Sequence, residues 1–90
     1  MKLYIATILK HDEYFVSHER TFVEKTSEDL ANKVYDYLSE DVEEDEENPF
    51  DPASILVECT NGNEGGEPLS MGLDTDLRNE FLLATKVVEI

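Results

Sequence analysis

Between residues 34 and 77 the chain carries fourteen acidic side chains and no Lys or Arg. The flanks are close to balanced: residues 1–33 hold five basic and six acidic side chains, and residues 78–90 hold two of each, so the middle carries nearly all of the formal charge of −15. A block of one sign repels itself on compaction, so its charge opposes folding. It also disfavours nucleic acid or an anionic membrane as a direct ligand, because phosphate would meet carboxylate. The partner that such a surface suits is a basic protein.

Ninety residues suit one domain, and a chain of this size buries only roughly two-thirds of the surface exposed when it is unfolded. With Cys59 as the single cysteine, no internal disulfide and no zinc site built on several thiolates can hold it together. Stability must come from packing. Cys59 lies in the run Ile55-Leu56-Val57-Glu58-Cys59 and reads as a small buried hydrophobe, not as a reactive thiol. The apolar run Leu3 to Leu9 gives way at once to Lys10-His11-Asp12-Glu13. It is too short for a membrane span and has no small-residue cleavage site after it, so it reads as a strand. A cytoplasmic protein is expected.

Both phases of that first strand are apolar, with Leu3, Ile5 and Leu9 on one side and Tyr4, Ala6 and Ile8 on the other. This is the pattern of a central strand covered on both faces. Residues 14–24 return as a hairpin partner with a bulge near His18 to Arg20. Thr26 and Ser27, followed by Glu28 and Asp29, cap a helix starting near Ser27, whose apolar positions run through Leu30, Val34 and Leu38. That helix should reach Ser39 and could extend through Glu47, where Asn48-Pro49 would stop it. Residues 49–52 then read as a connection, 54–60 as a third strand and 61–68 as a flexible loop rich in turn residues. Leu73, Leu77 and Phe81 suggest a short second helix capped by Asp74, and residues 83–90 a closing strand. The expected fold is α+β: a small antiparallel or mixed four-stranded sheet with one main helix packed on one face and that short second helix.

At 100° per residue, Asp29, Asp36, Glu40, Glu43 and Glu47 fall on one stripe of the long helix, roughly opposite Leu30, Val34, Leu38 and Val42. A helix continued to Glu47 would make the stripe about 27 Å long, against roughly 3.4 Å of axis per phosphate on one DNA strand. Seven acids in the eight residues Glu40 to Glu47 can equally be a solvated run that keeps a small protein soluble. Repulsion between acids three or four apart costs a few tenths of a kcal/mol per pair, and acids near a helix C-terminus oppose its dipole. Solubility requires no such clustering, which favours a role in binding cationic side chains. Asp36, Glu40, Asp41, Glu43, Glu44, Asp45, Glu46 and Glu47 form the expected partner-binding set, and whichever of Tyr35 and Tyr37 lies at the rim could stack on a partner's Arg.

No enzyme is expected. Ser17 and Ser70 lack the strand-turn-helix setting of an activated nucleophile, and no glycine-rich phosphate loop with a following Lys occurs. His11 and His18 read as surface histidines. Asp74-Thr75-Asp76 begins like a calcium loop, but glycine is missing at its sixth position and Arg78 stands among the would-be ligands. No cofactor and no defined metal site are expected.

In size, lack of enzyme motifs and concentrated acidity, the chain resembles the small phage-encoded inhibitors that mimic DNA, including anti-CRISPR and anti-restriction proteins. The resemblance implies a stoichiometric inhibitor, acting in the host cytoplasm, that occupies the nucleic-acid-binding channel of a defence protein. No functional residue is carried over from those proteins; the contact set above comes from the acidic segment of this chain. The alternative is a non-enzymatic acidic adaptor or assembly subunit whose charge serves solubility, and homo-oligomerisation is compatible with either.

Overall fold

The computed structural model describes residues 1–11, 14–40, 50–63, 69–74 and 79–90, with backbone alone for 69–74 and 79. Its elements are strands β1 (Lys2–His11) and β2 (Val16–Glu24), helices α1 (Ser27–Ser39) and α2 (Pro52–Asn61), and strands β3 (Leu69–Asp74) and β4 (Asn79–Glu89). The α+β class expected from the sequence is the class observed. Strands β2, β1 and β4 form a three-stranded antiparallel body, and the backbone of β3 continues it along the outer edge of β4. β1 is central, as its two apolar phases suggested, and pairs with β4 without interruption from Lys2↔Glu89 to His11↔Glu80. The chain ends meet: the Met1 ammonium donates to the Ile90 carbonyl at 3.1 Å, and the Ile90 amide donates to the Met1 carbonyl at 2.8 Å.

The β1–β2 hairpin carries the expected bulge. Its register shifts where Ile8 and Leu9 face Arg20 and His18, leaving Glu19 as the extra residue. Helix α1 begins as its capping residues require: the Thr26 backbone is extended and its hydroxyl accepts the Asp29 amide at 3.2 Å.

Two expectations about element type are corrected. Residues 54–60 are not a strand but the body of α2, so the sheet expected with them as its third strand is not the one observed. The start of this helix is set by Asp51, whose carboxylate accepts the Ala53 amide at 3.1 Å and the Ser54 hydroxyl at 2.8 Å, with Pro52 at the first helical position. Its end is set by Gly62, at φ 75° and ψ 159°, whose amide donates to the Glu58 carbonyl at 2.8 Å. That backbone region is essentially closed to residues with a Cβ. Ile55 and Cys59, the two buried residues of α2, are one helical turn apart.

The second correction concerns the short helix expected after Asp74. Residues 69–74 are strand β3, and β4 already begins at Asn79, with Asp74 and Asn79 paired across residues 75–78, which lie outside the described set. Leu73, Leu77 and Phe81 share helical spacing, but Phe81, Leu83, Thr85 and Val87 alternate strictly with Leu82, Ala84, Lys86 and Val88. A strand between two neighbours uses both of those sets.

Both helices pack on one side of the sheet. The core gathers Ala6 and Ile8 of β1, Leu83 of β4, Leu30, Ala31, Val34 and Leu38 of α1, Ile55 and Cys59 of α2, and Phe50. Tyr4, Phe22 and Phe81 line its edge from the same face of the strands. Full burial of an aliphatic side chain such as Ile8, Leu30 or Leu83 contributes roughly 1.5–3 kcal/mol. The odd-numbered phase of β1, which the sequence suggested would be covered too, faces away from both helices: Leu3, Ile5 and Leu9 are half-buried and take no part in this core.

Candidate protein-binding acidic face

Four buried residues at helical spacing, Leu30, Ala31, Val34 and Leu38, turn one side of α1 to the core. Asp29, Asp36 and Glu40 therefore stand on the solvent side, all exposed. Glu28 and Asp29 sit in the first turn, where the helix dipole favours carboxylates, and no basic residue occupies the last turn. Of the proposed contact set, Asp36 and Glu40 are thus placed one turn apart on an exposed face. Asp41, Glu43, Glu44, Asp45, Glu46 and Glu47 lie outside the described residues, as does the extension of the helix through Glu47.

The stripe is less uniform than the wheel of acids suggested. Lys33 falls on the same line, one turn after Asp29, and its Nζ reaches across to Glu24 of β2 at 2.6 Å. Lys33 remains 57% exposed, so the pair adds little stability. Its effect is on charge: a cation, paired with Glu24, interrupts the row of acids between Asp29 and Asp36. The signal was present in the sequence, since Lys33 is four residues from Asp29 and three from Asp36, but the partner on β2 was not.

Both flanks of the acidic run are tied to the core. Leu38 is buried just before it and Phe50 just after it. Phe50 stacks edge-on against Phe81 at 6.0 Å, and the Lys10 ammonium lies 5.8 Å from the Phe81 ring. Reading residues 49–52 as a plain connection missed this anchor. A lone aromatic between two prolines in a polar stretch was the available signal. On the other side of α1, Tyr37 packs edge-on against Phe22 at 6.0 Å, and the Arg20 guanidinium lies 5.4 Å from the Phe22 ring. Tyr35 and Tyr37 are both half-buried, so their first role is packing.

The expected loop at 61–68 begins as an ordered clasp. The Asn63 side chain donates to the Leu83 carbonyl at 2.8 Å and accepts the Thr85 amide at 2.6 Å, while its own amide donates to the Thr85 carbonyl at 3.1 Å. β3 pairs with β4 from Leu83 to Asn79, so Asn63 serves the edge of β4 beyond the end of β3. The buried Thr85 hydroxyl donates to the Glu58 carbonyl at 2.9 Å and joins α2 to the same strand. Residues 64–68 lie outside the described set.

The remaining chemistry-bearing residues do not converge. Cys59 is 1% exposed, and its thiol is pushed up to about 12 by burial, with the negative charge of Glu58 adding to the effect. His18 shares a 2.7 Å hydrogen bond between its Nε2 and the Thr21 hydroxyl, and His11 lies exposed at the end of β1. No group of three or more His, Cys, Asp or Glu side chains positioned to hold a metal occurs among the described residues. None of the described helices is long and apolar enough to cross a membrane. Comparison of the chain with protein-family models, with curated proteins and with solved structures found no match.

Proposed function

We propose that this chain is an acidic inhibitor that mimics nucleic-acid charge and occupies the nucleic-acid-binding channel of a host defence protein, such as a CRISPR effector or a restriction enzyme. The observation that carries this reading is the exposed Asp36–Glu40 line on a helix whose opposite side is locked into the core. It leads directly into the acid run from Asp41 to Glu47. Carboxylates fixed on a rigid element attract a basic groove at lower ordering cost than carboxylates on a free tail. Asp36 and Glu40 are about 6 Å apart along the helix axis, a spacing that a row of Lys and Arg side chains built for phosphates can meet.

The test is capture from a bacterial lysate at low and moderate salt, comparing the wild-type chain with a variant carrying Glu40→Gln, Glu43→Gln, Glu44→Gln and Glu47→Gln, with circular dichroism to check that the variant folds. Capture of a nucleic-acid-binding protein that salt releases and the variant loses would support the proposal. Capture that the four substitutions leave unchanged would sink it. A second reading, an acidic adaptor or assembly subunit, draws on a different observation, the apolar sheet face that neither described helix covers.

A further inference from the structure

The side of the sheet turned away from both described helices is broad and, at its described positions, poor in charge. Its paired positions carry Leu3, Ile5, Thr7, Leu9 and His11 on β1, Val16, His18, Thr21 and Val23 on β2, and Glu80, Leu82, Ala84, Lys86 and Val88 on β4. Glu80 is the one acid among these positions, in a chain that has 22. The aliphatic residues among them are half-buried or exposed and stand outside the core cluster. The molecule measures 17 Å along its shortest axis, the thickness of a sheet with a single layer of helices.

We infer that this face is the interface of a homodimer in which two copies stack sheet on sheet, with the helices outermost. Three observations point to a second copy as the occupant. The first is area: β1, β2 and β4, with 10, 9 and 11 residues, at about 3.3 Å per residue and about 4.8 Å apart make a flat face of roughly 480 Å² before corrugation, to which the shorter β3 adds an edge. A stable interface uses about 800 Å² of accessible surface per partner. The second is charge: sheets about 10 Å apart, each with a helix layer about 10 Å further out, hold the two α1 helices about 30 Å apart, more than three screening lengths at physiological salt. Self-association through α1 would instead press the acidic stripes together. The third is self-complementarity. Glu80 and Lys86 lie on the same face of β4, three residues to either side of Leu83. A two-fold axis crossing β4 between the stacked sheets brings each Lys86 to the Glu80 of the other copy, as an isologous interface requires.

The experiment is sedimentation equilibrium of the full chain from about 1 to 200 μM, a range that spans micromolar self-association. The expected result is a mass that rises with concentration toward twice 10.3 kDa. Ile5→Glu, at the middle of the face, should raise the dissociation constant at least about 100-fold by burying a charge. Lys86→Glu should raise it about five- to tenfold, and the swap Lys86→Glu with Glu80→Lys should restore it. If Ile5→Glu does not fold, the Lys86→Glu pair of variants decides. A monomer across the whole range would overturn the inference, as would a dimer indifferent to Ile5→Glu and Lys86→Glu, or a charge swap that fails to restore association.

Discussion

The two faces of the sheet carry similar residues and have different fates. On β1, Ala6 and Ile8 are fully buried under the helices, while Ile5 and Leu9, their neighbours in the chain, are half-buried on the other side. On β4, Leu83 is fully buried and Leu82 is not. What separates the faces is which one receives α1 and α2: both helices lie between the two hairpins and pack on the same side. A strand with two apolar phases is therefore a statement about capacity for burial, and here one phase is buried under the helices while the other stays half-buried.

The sharpest way to break this contrast is to delete the same atoms on each side of it. Leu83→Ala should cost about 3 kcal/mol in chemical denaturation, from lost transfer energy plus a cavity. Leu82→Ala, measured dilute enough to keep the chain monomeric, should cost about 1 kcal/mol, since less of its surface leaves water. Equal losses would mean that the second face is covered within a single chain.

Next in size is the clasp that holds the helix layer to β4. Asn63→Ala removes a donor to the Leu83 carbonyl and an acceptor for the Thr85 amide, both in a partly buried setting. A loss of about 2 kcal/mol is expected, with hydrogen exchange accelerated first at the Thr85 amide. Protection at Thr85 unchanged by the substitution would show that the strand edge is held by other groups.

The helix-covered side also contains Cys59, whose buried thiol keeps its proton in the folded state to a higher pH than in the unfolded chain. The unfolded state then binds fewer protons above the ordinary thiol range, so stability falls as pH rises from 9.0 toward about 12, by up to about 1.4 kcal/mol per pH unit. Cys59→Ala should flatten that alkaline slope relative to wild type in denaturation at pH 8 and 10. A slope unchanged by the substitution would assign it to other groups.

The smallest effect is expected on the outermost surface. Asp36→Asn with Glu40→Gln should change stability by no more than about 0.5 kcal/mol, and in the stabilising direction, because the pair adds repulsion and opposes the helix dipole. A marked loss of stability would show that these carboxylates support the fold itself. With stability unchanged, weaker capture of a basic partner by this variant would isolate binding as their role.

The sequence by itself determined those features whose hydrogen bonds and charges close within a few residues. Thr26 capping its own helix, the bulge at Glu19 in a hairpin and the segregation of acids into residues 34–77 are of this kind, and all were legible. The placement of Asp36 and Glu40 on the outer side of α1 followed from the spacing of Leu30, Val34 and Leu38. Tertiary structure decided what local patterns left degenerate. The run Ile55 to Cys59 is too short for its periodicity to distinguish strand from helix, although Asp51-Pro52 and Gly62 marked helix ends that outweigh β propensity once Ile55 and Cys59 can both reach the core. Residues around Leu73 and Phe81 could satisfy either period until β1 offered β4 a full-length partner. The direction of Lys33 toward Glu24, the anchoring of Phe50 on Phe81, the use of Asn63 as a strand-edge substitute and the choice of which β1 phase to cover all depend on groups distant in the chain. Their energies exist only once those groups meet, and no window of neighbouring residues contains them.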